Sequence, residues 1–333
     1  MSGFVLTCVA IGIASLALTY LARSILLRRA ILDLPNARSS HTVPTPRGGG
    51  WGLMLALLPA WIWSTARAGR LNDPAEILLI LGAVALMAVS WIDDRRGLGP
   101  APRFAAQAVA VGLVMAALPR DLSLTAGLLP LPLDRLAAGL AWLWFVNLFN
   151  FMDGIDGIAG GSAAAMGIGI MLVSMLHGPH ELQAFRGAAI AAASVGFLVW
   201  NWQPAKIFLG DVGSVPLGYL LGFELMQLAM DAGQVAALII ALYYLADATI
   251  TLLRRAGRRE RIWQAHREHF YQRAVRGGRS HAQVAAAALL IQLLLALLAL
   301  ESADSGGWSM IFPAVILVAL LLLWMARPSK GAA

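Results

Sequence analysis

Long apolar runs recur through this chain, and most carry no charge inside them. A helix that crosses a bilayer needs about 20 apolar residues, with a range of about 17 to 25. Lipid offers no water to backbone polar groups, so a spanning run must be a helix or part of a closed barrel. Runs of this length read as helices. Eleven can be placed, at 4–22, 51–66, 76–92, 104–118, 136–151, 158–176, 187–202, 214–230, 234–253, 282–301 and 308–326. Several are short, and their polar ends are expected to continue as helix beyond the hydrocarbon. Composition agrees: 59% of the 333 residues are hydrophobic and 13% are charged, against roughly 25% charged in a soluble domain. The expected fold is all-α, a single polytopic membrane domain over 1–333 with about 11 transmembrane helices. No internal repeat, long linker or low-complexity tail divides it. The first run is long for the core of a cleaved signal and has no basic segment ahead of it, so it reads as a retained helix.

The basic residues orient the chain. With the 23–50 loop placed inside, 20 Lys and Arg fall on inside segments and 5 on outside ones. Cytoplasmic loops carry such an excess, so the N-terminus is expected outside and the C-terminus in the cytoplasm. The net charge of +7 then reflects inside loops and anionic headgroups, with no nucleic acid as partner. Cys8 is the only cysteine, which rules out an intrachain disulfide and a Cys-based metal site.

This orientation brings the polar clusters to one face. They lie in or beside the inside segments 23–50, 93–103, 151–157, 203–213 and 254–281. The run ending at Phe151 leads into Asn147-Leu-Phe-Asn150-Phe-Met-Asp153-Gly-Ile-Asp156-Gly. Asn147, Asn150 and Asp153 recur every third residue and share a face if helical. Amides and carboxylates crowded at the end of an apolar run usually mark a site, although Asp-Gly is also plain turn chemistry. Asp93 and Asp94 end another span, where the helix dipole disfavours carboxylates. A divalent cation or a proton-accepting role explains them better than an ion-pair cluster with Arg95 and Arg96. In Lys206-Ile-Phe-Leu-Gly-Asp211-Val-Gly-Ser214, Lys206 offers a point charge for phosphate. Ser214 reads as an N-cap, and the helix start behind it can bind an anion. In the first inside loop, Arg38, His41 and Arg47 can hold phosphate beside three glycines, or simply fix topology. His266 and His269 lie three apart and Arg273 follows; no third soft ligand makes zinc of them, and phosphate contacts suit them better. Asp247, buried within a span, is a site candidate or a partner for Arg254, whereas Glu224 reads as structural.

Acids, phosphate-binding cations and a hard metal suit phosphoryl transfer, where positioning and charge neutralisation do most of the work. A site at the membrane edge implies one lipid substrate and one soluble one. A transporter of an anionic lipid or metabolite is the rival reading, but transporters place charges near the midplane and often carry inverted repeats.

The chain also resembles the polyprenyl-phosphate N-acetylhexosamine-1-phosphate transferases. The resemblance rests on Asp93-Asp94, on Asn147-x-x-Asn150-x-x-Asp153-Gly-x-Asp156-Gly, on Phe208-Leu-Gly-Asp211-x-Gly-Ser214 with Gly218, and on the His266 loop. It implies Mg²⁺, with Mn²⁺ as an alternative, held by Asp211 and Asp94. It implies catalytic roles for Asp93, Asp94, Asp153 and Asp156, with Asp93 the candidate base. Asn147, Asn150, Lys206, Ser214, His266, His269, Arg273, Arg38, His41 and Arg47 would contact substrate. The substrates implied are undecaprenyl phosphate and a UDP-N-acetylhexosamine, in the bacterial inner membrane with the active site facing the cytoplasm. Membrane lipids surround it, and a homodimer is compatible. The pentapeptide branch carries consecutive histidines, whereas this chain has His-Arg-Glu-His, which looks like the branch that initiates O-antigen and related polysaccharides.

Overall fold

The computed structural model describes residues 2–35, 42–119, 123, 128–177, 180–231, 233–260, 266–305 and 307–329. Twelve helices account for nearly all of them: α1 (Ser2–Arg28), α2 (Gly50–Arg67), α3 (Pro74–Arg96), α4 (Pro100–Ala117), α5 (Leu131–Phe151), α6 (Ile158–Leu176), α7 (Glu181–Asn201), α8 (Asp211–Asp231), α9 (Gln234–Gly257), α10 (Phe270–Arg276), α11 (His281–Ser305) and α12 (Ile311–Ala326). A 3₁₀ turn at Trp308–Met310 precedes α12. Among the described residues the one sheet is a two-residue antiparallel ladder, β1 (Leu32–Asp33) on β2 (Thr45–Pro46). The protein is a multi-pass membrane protein. Nine of these helices are long and apolar enough to cross a bilayer by length and composition. Trp and polar residues toward the ends of α2 and α5 keep those two outside that set.

All eleven expected runs are helices, and their polar ends extend them. α1 continues to Arg28 and α3 to Arg96, so Asp93 and Asp94 lie in the last turn of a helix. α3 is entered through Asp73, whose side chain accepts from the Ala75 amide, followed by Pro74 at the first position; that proline has no N–H to leave unpaired. The 254–281 segment is not a plain loop, because α10 forms inside it.

α8 is the hub. Its apolar window is 94% buried, against 17% for α1 and 28% for α12. It packs against α2, α3, α5, α6, α7 and α9. Glycine makes this possible where α2 and α8 begin: a Cβ added to Gly50 would lie 2.2 Å from the Gly213 Cα. Small residues of this kind let helices approach closely when lipid supplies no hydrophobic drive between them.

One sequence expectation fails at the opposite end of the bundle. Arg186, expected in a loop, sits inside α7 and is 2% exposed. Its Nη2 donates to Glu76 Oε2 at 2.5 Å and to Thr65 Oγ1 at 2.9 Å, and Nη1 lies 3.4 Å from Glu224 Oε1. Glu224 therefore has charged company, because α3 and α7 both pack on α8 at that level.

Candidate functional site

The site forms around the first turn of α8. The chain after β2 lies along the segment before α8: Phe208 N–H donates to Pro46 O, and Gly48 and Gly49 N–H donate to Phe208 O. This pairing holds Arg47 over the start of α8. Gly210 enters the helix at φ +74°, and a Cβ there would lie 2.9 Å from Asp94 Oδ2 and 3.2 Å from Arg47 Cγ. Glycine is required on both counts, because L side chains resist that conformation and the space is filled.

Asp94 caps α8. Its carboxylate accepts from the Asp211 amide at 3.2 Å and the Val212 amide at 3.0 Å. A carboxylate disfavoured at the C-terminus of its own helix is thus stabilised by the N-terminus of another. The anion expected at this helix start is a side chain of the protein itself. Ser214 is not the N-cap, since α8 begins at Asp211. Its hydroxyl donates to Asn150 Oδ1 at 2.6 Å and so ties α5 to α8.

Two guanidiniums bridge three carboxylates. Arg47 contacts Asp94 Oδ1 at 2.9 Å and Asp211 Oδ1 at 2.7 Å. Arg103 contacts Asp93 Oδ2 at 2.9 Å and Asp211 Oδ2 at 3.0 Å. The Leu98 amide donates to Asp93 Oδ1 at 2.5 Å, and Arg103 joins Asp93 to Asp211. Arg103 was not among the expected site residues. The Gly97-Leu-Gly-Pro100 turn is the signal that finds it, because it folds the start of α4 back onto the end of α3. Burial alone would lower the Arg47 pKa, but Asp94 and Asp211 hold it above the ordinary arginine range. Burial pushes Asp153, in the turn after α5, up to about 7; Asp211, Asp94 and Asp156 add to this and Arg47 opposes it.

The remaining expected residues separate. Asn147 donates within its own helix to Leu143 O. Asp156 joins a second cluster, where Oδ2 accepts from the Ala205 amide at 3.1 Å and Oδ1 lies 3.2 Å from His281 Nδ1. His281 opens α11 and was missed, since nothing in its local sequence points to a residue 125 positions earlier. The His266 and His269 rings are 4.8 Å apart, although both precede α10 and the helical spacing argument does not apply. Burial, then His269 and Arg255, lower His266 to about 4. It is therefore neutral near pH 7, and its contact with a phosphate would be a hydrogen bond without a cation's charge. Asp247 pairs with His269, while Arg254 lies over Phe270. Arg273 is exposed, 5.7 Å from the same ring. Lys206 is exposed with Nζ 5.4 Å over Trp200, and no contact brings it to the carboxylates. Arg38 and His41 lie outside the described residues.

The donor set suits a hard cation. Asp93, Asp94 and Asp211 offer carboxylate oxygens, and Asp94 spends three acceptor positions on Arg47 and the α8 amides. Among the described residues no three His, Cys, Asp or Glu side chains converge as a ready-made metal cage. Mg²⁺ does not need one, because it takes one or two carboxylates and completes its shell with phosphate and water. Asp211, held between Arg47 and Arg103 at the start of α8, could serve as such a carboxylate.

Known proteins are similar to the chain, and one family model matches part of it. The model for glycosyl transferase family 4 matches residues 77–229, a stretch that holds Asp93, Asp94, Asn150, Asp153, Asp156 and Asp211. That match covers somewhat less than half of the chain. The chain is 27% identical to a Bacillus subtilis protein described as a probable undecaprenyl-phosphate N-acetylglucosaminyl 1-phosphate transferase, over 91% of this chain and 86% of the relative. It is 28% identical to the decaprenyl-phosphate N-acetylglucosaminephosphotransferase of Mycolicibacterium smegmatis, over 96% and 89%. A phospho-N-acetylmuramoyl-pentapeptide-transferase of Synechococcus is 35% identical over 53% of each chain.

Proposed function

We propose that the protein transfers HexNAc-1-phosphate from a UDP-sugar to undecaprenyl phosphate and releases UMP. UDP-GlcNAc is the donor that the relatives' names favour. The observation that carries this reading is Asp211, held by two guanidiniums at the start of the hub helix and flanked by Asp93 and Asp94.

The lipid phosphate oxygen attacks the β-phosphorus of the UDP-sugar. A P–O bond forms there, and the bond from that phosphorus to the bridging oxygen breaks. UMP leaves with the bridging oxygen and the electron pair. The attacking monoester is mostly dianionic at pH 7, its second pKa being about 6, so no strong base is required. This favours direct attack over a covalent aspartyl-phosphate. Arg47 and Arg103 orient Asp211 and offset most of the charge of the three carboxylates. Asp94 pins the helix start that carries Asp211. Mg²⁺, bound by Asp211, would neutralise diphosphate charge. Asp153 faces the same space, at the junction that Asn150 and Ser214 fix.

The basic-residue asymmetry supports a reading in which this end of the bundle faces the cytoplasm, and the membrane would be a bacterial inner membrane. The reaction would start a cell-surface polysaccharide of the O-antigen kind. The pentapeptide relatives match about half the chain, which leaves peptidoglycan synthesis the weaker reading. UMP release by purified protein with undecaprenyl phosphate, Mg²⁺ and a panel of UDP-sugars tests the proposal. Activity is expected with lipid and metal together, and an at least ~100-fold loss in Asp211→Asn.

A further inference from the structure

Asp247 pairs with His269 and stands apart from the Asp93–Asp94–Asp211 cluster, fully buried in α9. A buried carboxylate is costly unless its oxygens are satisfied. Here Oδ1 accepts from the Phe270 amide at 2.9 Å and lies 3.2 Å from His269 Nδ1. Oδ2 accepts from the Tyr271 amide at 3.2 Å, and the Thr251 hydroxyl lies 3.5 Å from Oδ1.

Two consequences follow. An ionised carboxylate only accepts, so the proton between Asp247 and His269 sits on Nδ1. Nε2, the opposite corner of the ring, is then turned away from Asp247. The ring is also held on its faces, stacked on Tyr271 at 5.6 Å and beside His266 at 4.8 Å. The same carboxylate reaches the other cluster through Tyr271. That residue's amide binds Asp247, and its hydroxyl donates to Phe151 O at 2.8 Å. Gly154 lies beneath the hydroxyl, where a Cβ would come within 2.2 Å of the Tyr271 oxygen. One buried acid therefore fixes both the ring of His269 and its placement relative to the Asp153–Gly154 turn.

We propose that Asp247 is a positioning residue that holds His269 as the Nδ1–H tautomer, with Nε2 offered to the sugar nucleotide, and couples that ring to the Asp153 turn. The proposal rests on the transferase reading for what His269 meets. It is distinct from a mere anchor for the start of α10, because an anchor only accepts backbone N–H groups and leaves the histidine tautomer unspecified. Asn keeps one of the two acceptor oxygens and puts an NH2 donor in place of the other, so Asp247→Asn loosens the anchor as well as the tautomer, and the two are separated by the Nδ1 signal and by the split between the substrates.

The test combines spectroscopy and kinetics. Protein labelled with ¹⁵N-histidine is reconstituted in lipid bilayers, and His269→Gln assigns the His269 signals. The wild type is expected to show a protonated Nδ1. In Asp247→Asn that signature is lost, and kcat/KM for the UDP-sugar falls at least tenfold while KM for the lipid phosphate stays within twofold. An Nδ1 without a proton in the wild type overturns the proposal, as do wild-type kinetics in Asp247→Asn. Equal weakening toward both substrates also overturns it, since that is what a loosened fold gives. Should Asp247→Asn fail to fold, the wild-type signal decides alone. A wild type with protonated Nδ1 that releases UMP from no UDP-sugar sinks the transferase reading and leaves the Asp247–His269 pairing standing.

Discussion

Asp94, in the last turn of α3, accepts hydrogen bonds from the backbone of Asp211 and Val212 in the first turn of α8, at 3.2 and 3.0 Å. Two helix ends with opposite electrostatic needs thus meet through one carboxylate. The contact decides where Asp211 stands, because the capped amide belongs to Asp211 itself. Asp94→Ala is expected to destabilise the protein by about 1–2 kcal/mol, the usual loss for a cap. Asp94→Asn should recover part of that stability but not the activity, since Arg47 loses one of its two charged partners. Thermal unfolding in detergent alongside UMP release checks this. A fully active Asp94→Asn would show that Asp94 is a cap and nothing more.

Arg103 bridges Asp93 and Asp211 with its two terminal nitrogens. Lysine offers a point charge and no such fork. Arg103→Lys should therefore fail to rescue, with transfer lowered by about tenfold or more, the loss of a charge-assisted hydrogen bond. Steady-state rates of Arg103→Lys and Arg103→Ala decide the matter. A lysine variant at wild-type rate would leave Arg103 only a charge-balancing role.

Gly210 and Gly69 both have positive φ, but only Gly210 has neighbours where a side chain would go. Gly69→Ala should cost about 1–2 kcal/mol for the backbone alone. Gly210→Ala should cost more, because it also pushes on Asp94 and Arg47, and it should abolish transfer. Equal effects at the two positions would contradict the packing described here.

Asp153 carries a pH signature. In the fold, burial raises its carboxyl to about 7, whereas in the unfolded chain it titrates near ~3.9. Between those values the folded state holds the extra proton, so stability from this group falls as pH rises. In buffer without divalent ions, the Tm of the wild type minus that of Asp153→Asn should become more negative from pH 5.5 to 8. A difference that stays flat would place Asp153 in contact with water.

The eleven runs and the residues at their ends were legible because apolar length is a local property. Asp93, Asp94, Asn150 and Asp211 stood out for the same reason, as polar groups where a helix leaves lipid. Their partners did not. Asp94 meets Val212 across 118 positions, and Asp156 meets His281 across 125. Arg103 read as one more inside-loop cation until the turn before α4 folded it back. The deep burial of Arg186 and its pairing with Glu76 and Glu224 went unseen because hydropathy scores an arginine as a boundary. Ser214 looked like a cap because serine so often is one; a carboxylate from another helix had taken that place.

Sugar-phosphate transfer at the Asp93–Asp94–Asp211 cluster, with Arg47 and Arg103, is tested by UMP release from UDP-GlcNAc and undecaprenyl phosphate by the purified protein, with and without Mg²⁺, beside Asp211→Asn. UMP is expected only when lipid and Mg²⁺ are both present, and is expected to be lost in the variant. UMP formed at the wild-type rate by Asp211→Asn, or none from any UDP-N-acetylhexosamine with lipid and metal verified, would contradict it.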